Sequence, residues 1–249
     1  MLIPGAVLAA STFDLLAWSP PGWGANLGRG LLNSIVIALG AYGLGLLIGT
    51  FGAFGKLYGG PVTRDLLAVY TTVVRAVPEL VLILILYFGF IGSLNIWLVA
   101  QGLDWAQLSG VGAGILVLGV VQGAYATEVL RGAILAVPSG QIEAARAMGM
   151  PPGLLARRIT LPAMLSFALP GMANLWLIAT KDTALLAVVG FAELTQETRQ
   201  AAGTTKAYFT FFIAAGVIYL AISLISAVLF ARLERRARRG QPDVAGAGR

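Results

Sequence analysis

The sequence contains no cysteine and no histidine. Without cysteine the chain forms no disulfide and no thiolate centre, and without histidine it lacks the commonest metal ligand and pH switch. Charged residues are also scarce, at 11% of 249 residues. Any binding site must therefore be built from carboxylates, cations and backbone groups. We expect neither a metal site nor a catalytic centre in this chain.

Apolar residues dominate what remains. Hydrophobic residues make up 58% of the chain, and the mean hydropathy is +0.84, which is too apolar for a soluble domain. No long polar segment is present to form a second domain. The composition therefore predicts a single all-α integral membrane protein.

Five runs are long and apolar enough to cross a hydrocarbon core of about 30 Å. The predicted spans are about 30–54, 65–91, 110–130, 164–182 and 208–230. Residues 1–28 are predicted to form an interfacial segment, 29–236 the transmembrane domain and 237–249 a disordered tail. Gly45 and Gly49, four residues apart, predict a small-residue face on the first span that allows close helix packing.

The second and fourth predicted spans contain breaks. Arg75 and Glu79 flank Pro78 in the second, and Pro170-Gly171 is expected to break the fourth. Residues 183–191 are apolar but too short to cross a bilayer alone, which suggests a re-entrant or half-spanning piece.

Charges inside a span are costly, at about 2.5 to 3.5 kcal/mol near the bilayer centre, so they should face protein or water. Arg75 and Glu79 either contact a ligand or form an ion pair across Pro78. The same two alternatives apply to the neighbouring Lys181 and Asp182.

Residues 50–57 have part of the spacing of a phosphate-binding loop. Thr50 stands where that motif requires its first glycine, and Leu57 stands where it requires serine or threonine. The segment also lies in a predicted membrane span. We therefore expect no nucleotide site here.

The basic residues of the loops are unevenly divided between the two sides of the membrane. Eleven lie on one side: Lys56, Arg64, Arg131, Arg146, Arg157, Arg158, Arg232, Arg235, Arg236, Arg238 and Arg239. Three lie on the other side: Arg29, Arg199 and Lys206. The positive-inside rule then places the N-terminus outside and the C-terminus in the cytoplasm. This placement of the +6 net charge favours membrane orientation over nucleic-acid binding.

The loop at 138–162 is polar and basic, and the same rule places it in the cytoplasm. Strong helix formers predict a short helix from Ser139 to Met148. Gly149 and the Pro151-Pro152-Gly153 run stop it, and a second helical start follows at Leu154. The pattern predicts a helix-turn-helix between two spans.

The same loop carries a specific spacing of residues: Glu143-Ala144-Ala145, then Gly149, then Ile159 and Leu161-Pro162. This pattern resembles the EAA loop of permease subunits in binding-protein-dependent ABC importers. The resemblance implies the type I permease fold, with this loop docking in a groove of a separate ATPase. The residues to which it assigns ATPase coupling are Glu143, Ala144, Ala145, Gly149, Ile159, Leu161 and Pro162.

Other segments narrow the resemblance to the polar-amino-acid branch, which includes histidine, arginine, lysine/ornithine and opine permeases. These segments are Asn33-Ser34, Arg75 to Leu80, Lys181 to Leu185 and Gly190 to Leu194. A cationic amino acid needs a carboxylate for its cation and a positive group or free amides for its own carboxylate. The candidate substrate-binding residues are Glu79, Asp182, Arg75, Thr183 and Asn33.

The resemblance also implies partners. It predicts two ATP-binding-cassette subunits that bind ATP and Mg²⁺, so this chain itself carries no cofactor and is not an enzyme. It further predicts a second related permease or a second copy, a periplasmic solute-binding protein, and an amino acid or opine as substrate. The expected location is the bacterial inner membrane, among lipid.

Two alternatives come from other classes of protein. A stand-alone secondary transporter or channel would need its own coupling-ion path and often shows inverted repeats, which are not visible here. A scaffold without transport activity would not need Arg75, Glu79 and Asp182 inside spans.

Overall fold

The computed structural model describes residues 12–108 and 110–237, and over these ranges it contains helices and no strand. The α-helices are α1 (Thr12–Leu16), α2 (Gly24–Tyr58), α3 (Pro61–Ala76), α4 (Glu79–Leu84), α5 (Gly92–Ala100), α6 (Gly110–Leu135), α7 (Ser139–Ala147), α8 (Pro152–Leu155), α9 (Leu161–Asp182), α10 (Leu194–Thr205) and α11 (Tyr208–Ala237). π-Helical segments at Ile85–Ile91 and Ala156–Thr160 join α4 to α5 and α8 to α9. Asp104–Ala106 and Thr183–Val189 are 3-10 helices. The predicted tail lies outside the described residues from residue 238 onward.

Five helical stretches in the described ranges are long and apolar enough to cross a membrane, as predicted. They are Gly24–Tyr58, Glu79–Ala100, Gly110–Leu135, Pro152–Val189 and Tyr208–Ala237. In the first, third and fifth stretches the helix continues past the predicted span, because polar residues such as Lys56, Arg131 and Arg232 extend it into the headgroup region.

The second span differs most from its prediction at 65–91. α3 ends at Ala76, Val77 is extended, and a new helix begins at Glu79. Pro78 causes this break, since it disfavours helical geometry in the residue before it. The membrane helix therefore runs from Glu79 to Ala100, and α3 is a separate helix that packs on α2 and α6.

The fourth span is not broken at Pro170. Pro170 lies inside α9. A proline removes one backbone donor, and a membrane helix tolerates that loss where neighbouring groups satisfy the freed carbonyl. The structure also differs from the prediction of a re-entrant piece at 183–191. Thr183–Val189 continues directly from α9 as a 3-10 helix, which ends at Gly190 in the left-handed conformation.

The core of the bundle is the contact between α2 and α6. Gly45 and Gly49 are buried there, and a Cβ added to Gly45 would lie 2.8 Å from Cβ of Gln122. A Cβ on Gly49 would collide with Ala126. The small-residue face predicted on the first span is thus confirmed as a helix contact. It packs against Gln122, which is buried in the interior of the bundle.

Candidate functional site

The polar loop at 138–162 forms a short helix that ends in a tight reversal. α7 covers Ser139–Ala147, close to the predicted 139–148, with Pro138 rather than Ser139 in the capping position. Gly149 has φ +76°, the N–H of Gly149 donates to Arg146 O at 2.9 Å, and that of Met150 donates to Ala145 O at 3.1 Å. These two hydrogen bonds form a Schellman motif, which requires a left-handed residue after the helix.

The two faces of α7 have different surroundings. Ala145 is buried, and Ile142 packs on a cluster that includes Leu130 and Met164 at the ends of the membrane helices. Glu143 and Ala144 are exposed on the other face. Met148, next to them, is 84% exposed, which is unusual for a large apolar side chain in a short helix. The loop therefore presents a mixed surface away from the bundle.

The second half of the loop leads into α9. Ile159 lies half-buried in the π-helical segment, while Leu161 and Pro162 are exposed at the start of α9. Proline is favourable in the first turn of a helix, because its missing N–H has no intrahelical partner there. Ile159, Leu161 and Pro162 thus lie where the loop runs without a break into the fourth membrane span.

Two of the candidate substrate-binding residues, Glu79 and Asp182, lie close together in the middle of the bundle. Asp182, at the end of α9, accepts a hydrogen bond of 3.2 Å from Nε2 of Gln122. Gln122 is the thirteenth of the 26 residues of α6, so this contact lies near the membrane midplane. Glu79 and Tyr125 lie within electrostatic range of Asp182 and of each other. We call Glu79, Gln122, Tyr125 and Asp182 the intramembrane polar cluster.

One atom in this cluster has no partner. Oε1 of Gln122 is buried, and the described residues offer it no hydrogen bond. Leaving a buried acceptor unpaired costs about 1 to 3 kcal/mol. Such an atom is typical of a site that a ligand or water completes.

The two cations near the cluster are exposed at its edge. Arg75 lies within electrostatic range of Tyr125, and Lys181 within that of Asp182. Among the described residues, neither Arg75 and Glu79 nor Lys181 and Asp182 form an ion pair. The ion-pair alternatives raised by the sequence are therefore not found among the described residues.

Thr183 and Asn33 occupy other positions. The Thr183 hydroxyl donates to Thr180 O at 2.9 Å, and its N–H donates to Ala179 O. Thr183 therefore offers no free backbone amide, contrary to the prediction. Asn33 donates to Ala192 O at 2.7 Å and borders a separate cavity of about 220 Å³.

A buried carboxylate near Asn33 holds three helices together. Glu193 is fully buried and accepts hydrogen bonds from the N–H groups of Thr195 and Gln196, capping α10. Ser34 of α2 and Tyr219 of α11 also donate to it, at 3.3 and 3.1 Å. Burial raises the pKa of the Glu193 carboxyl, although these donors act in the opposite direction.

An ion-pair network lies at the basic end of the bundle. Glu128 accepts from Nζ of Lys56 at 2.6 Å and from the Arg131 guanidinium at 2.8 Å. Lys56 also donates to the Thr71 hydroxyl at 2.8 Å. Through Lys56, Glu128 and Thr71 this network joins α2, α3 and α6.

Sequence reasoning missed Gln122, Tyr125 and the Lys56 contact. A glutamine inside an apolar span was the available signal for Gln122, because unpaired amides are costly in lipid. Tyr125 and Lys56 gave no such signal, since their importance comes from contacts with distant segments.

Comparison with known proteins agrees with this architecture. The family of binding-protein-dependent transport system inner membrane components matches residues 41–239. The nopaline transport system permease protein NocQ of Agrobacterium fabrum is 44% identical over 230 residues, 91% of this chain and 97% of the relative. The histidine/lysine/arginine/ornithine transport system permease protein HisQ of Escherichia coli is 39% identical over 208 residues, 84% of this chain and 91% of the relative.

Solved structures share the fold. A crystal structure of an amino acid ABC transporter with histidines has a TM-score of 0.76 and 28% identity, over 92% of this chain and 99% of that chain. An inward-facing MetNI methionine ABC transporter has a TM-score of 0.70 and 20% identity, over 85% and 96%, and supports the fold alone. The five membrane helices, the loop with its EAA spacing and the match over residues 41–239 together place this chain in the family of inner membrane components of binding-protein-dependent transport systems.

Proposed function

We propose that this permease moves a cationic amino acid or an opine across the bacterial inner membrane and contacts it at the intramembrane polar cluster. The observation that carries this proposal is the meeting of Glu79 and Asp182 beside the unpaired Oε1 of buried Gln122. Relatives named for nopaline, octopine and histidine/lysine/arginine/ornithine transport support the substrate class.

The chemistry of the cluster suits such a substrate. Glu79 and Asp182 accept hydrogen bonds from an ammonium or guanidinium group, which a carboxylate binds more strongly than a neutral acceptor does. Oε1 of Gln122 accepts a further N–H. Arg75, exposed at the edge, pairs with the substrate carboxylate. Thr183 and Asn33 act indirectly, by holding the 3-10 helix and the 190–194 turn in place.

The exposed face of α7 is proposed to dock in the ATPase. Small side chains such as Ala144 let backbones approach closely, Glu143 offers a charge-assisted hydrogen bond, and Gly149 supplies the reversal. Met148 adds an apolar side chain that a groove in the partner would bury. This chain is then the non-catalytic membrane subunit, and the ATPase binds ATP and Mg²⁺.

The proposed assembly has two ATPases, this permease with a second related permease, and a periplasmic solute-binding protein. A heterodimer of permeases is favoured over two copies of this chain, since this branch often pairs two related subunits. The excess of basic residues in the loops on one side supports a cytoplasmic α7 and a periplasmic N-terminus. Membership in a binding-protein-dependent family argues against a stand-alone carrier.

Glu79→Gln tests the substrate site. The cargo is first identified by reconstituting the importer with its binding protein and screening single amino acids and opines for stimulation of ATP hydrolysis. Removing one charged acceptor should then raise KM for transport about tenfold or more. Asp65→Asn, the same acid-to-amide change at an exposed position in α3, serves as the control. An unchanged KM and rate in Glu79→Gln would exclude contact between this carboxylate and the substrate.

A further inference from the structure

A cavity of about 430 Å³ lies between the polar loop and the ends of three membrane helices, α2, α6 and α9. Phe54 and Tyr58 of α2, Ile134 of α6, and Ile142 and Arg146 of α7 form part of its wall. Its lining is largely apolar, and Arg146 is the one charged residue among the described residues that form it. A cavity of this size and character suits a small ligand or a segment of an acyl chain.

The cavity lies at the depth of the lipid headgroups. Gly45 of α2 lies against Gln122 at the middle of α6, and Phe54 is nine residues beyond Gly45, which is about 14 Å along a helix that rises 1.5 Å per residue. Ile134 is 12 residues beyond Gln122 and so lies about 18 Å from the same level. The hydrocarbon core ends about 15 Å from its centre. Acyl chains therefore reach the apolar wall from below, while headgroups lie level with the opening.

Arg146 provides charge complementarity at this opening. It is exposed, and no carboxylate of the described residues lies within ion-pair distance of it. Arg157 and Arg158, on the π-helical segment that also contributes to the wall, add positive charge nearby. A guanidinium group binds a phosphate through two parallel N–H bonds.

We infer that this cavity binds one anionic phospholipid, whose acyl chain packs against Phe54 and Ile142 while its phosphate contacts Arg146. Ile142 lies on the face of α7 that packs toward the membrane helices, whereas Glu143 and Ala144 are exposed on the opposite face. The lipid therefore leaves the proposed ATPase-docking face free. It also links the position of α7 to the lipid composition of the membrane.

Quenching by brominated lipids tests this site in the assembled importer, reconstituted in vesicles. Phe54→Trp places a fluorophore in the wall, and the quenching of the same importer without that substitution is subtracted, since the chain has five native tryptophans. Brominated phosphatidylglycerol should associate with Trp at 54 about fivefold more strongly than brominated phosphatidylcholine, the preference expected for one basic residue near an anionic surface. Arg146→Gln should reduce the ratio to about one, and Arg64→Gln, at an exposed arginine outside the cavity, should preserve it.

Equal quenching by the two lipids would overturn the inference. So would an equal loss in Arg146→Gln and Arg64→Gln, because that would indicate general surface charge. If neither brominated lipid quenches the fluorescence of Trp at 54, a protein partner fills the cavity and the inference is also overturned. Mass spectrometry of lipids that co-purify with the importer carrying native Phe54 gives an independent readout. There Arg146→Gln should lose the bound anionic lipid that Arg64→Gln retains, and equal retention would contradict the site.

Discussion

At several positions in this chain, the backbone conformation or the buried hydrogen bonds suit few residue types. Gly149 adopts a left-handed conformation that costs residues with a Cβ about 1 to 2 kcal/mol. Glu193 satisfies two amides of α10 and two hydroxyls of other helices with one carboxylate. Gln122 has the opposite character, because its buried Oε1 is left unpaired. Oε1 of Gln196 is also buried and unpaired, so what makes Gln122 the candidate for ligand binding is its closeness to Asp182 and Glu79.

Gly149→Val should disturb the end of α7 and leave the membrane helices intact, since a β-branched residue at this φ is strongly disfavoured. We expect the importer either to lose its ATPase on purification or to hydrolyse ATP without transport. Gly203→Val, the same change at a helical glycine with no atom near its Cβ position, is the control. Normal coupled transport in Gly149→Val would show that this reversal is not required for coupling.

At the scale of helices, the chain depends on one close contact. α2 and α6 approach so closely that side chains on Gly45 or Gly49 would overlap α6, whereas Gly43 on the same helix has open space. In lipid such contacts are stabilised by packing and not by the hydrophobic effect. Gln122 lies in this contact, so its position depends on these glycines.

Gly49→Leu should separate α2 from α6 and destabilise the protein, since overpacking a filled interior costs about 1 to 3 kcal/mol or more. Thermal unfolding in detergent, followed by tryptophan fluorescence, should show a lower Tm. Gly43→Leu is a matched control on the exposed side of the same helix and should leave Tm nearly unchanged. Equal values of Tm for both variants would mean that the two helices do not pack as described.

For the whole molecule, the proposed orientation rests on the distribution of charge. The polar loop, the basic end of α11 and the Lys56–Glu128–Arg131 network all lie at one end of the bundle, where a cytoplasmic ATPase is proposed to bind. The intramembrane polar cluster lies between this end and Glu193. Motion of α7 can reach the cluster through α9, which connects the loop to Asp182.

The proposed orientation is directly testable because the chain has no cysteine. Thr204→Cys, at an exposed position at the end of α10, should react with a membrane-impermeant maleimide added to spheroplasts. Gln141→Cys, exposed on α7, should react only after the membrane is permeabilised. The reverse pattern would invert the orientation and place the loop outside the cytoplasm.

Local patterns were sufficient to predict much of this fold. Hydropathy identified five spans, Gly45 and Gly49 predicted a packed face, and the run from Ser139 to Gly149 predicted α7 and its end. Helix boundaries were less well predicted, because polar ends extend helices and because Pro170 is tolerated where Pro78 is not. Both prolines disfavour helical geometry in the residue before them, yet α9 continues through Pro170 within a long, packed helix, whereas Val77 before Pro78 is extended.

The sequence by itself determined the membrane class, the number of spans and the loop that identifies the family, because each depends on residues close together in the chain. Only the tertiary structure decided which polar groups share a site. Asp182 meets Gln122 across 60 residues and lies within range of Glu79, while Asn33 joins the Glu193 end instead. Contacts of this kind depend on how closely the helices pack, and no local sequence pattern specifies the distance between two helices.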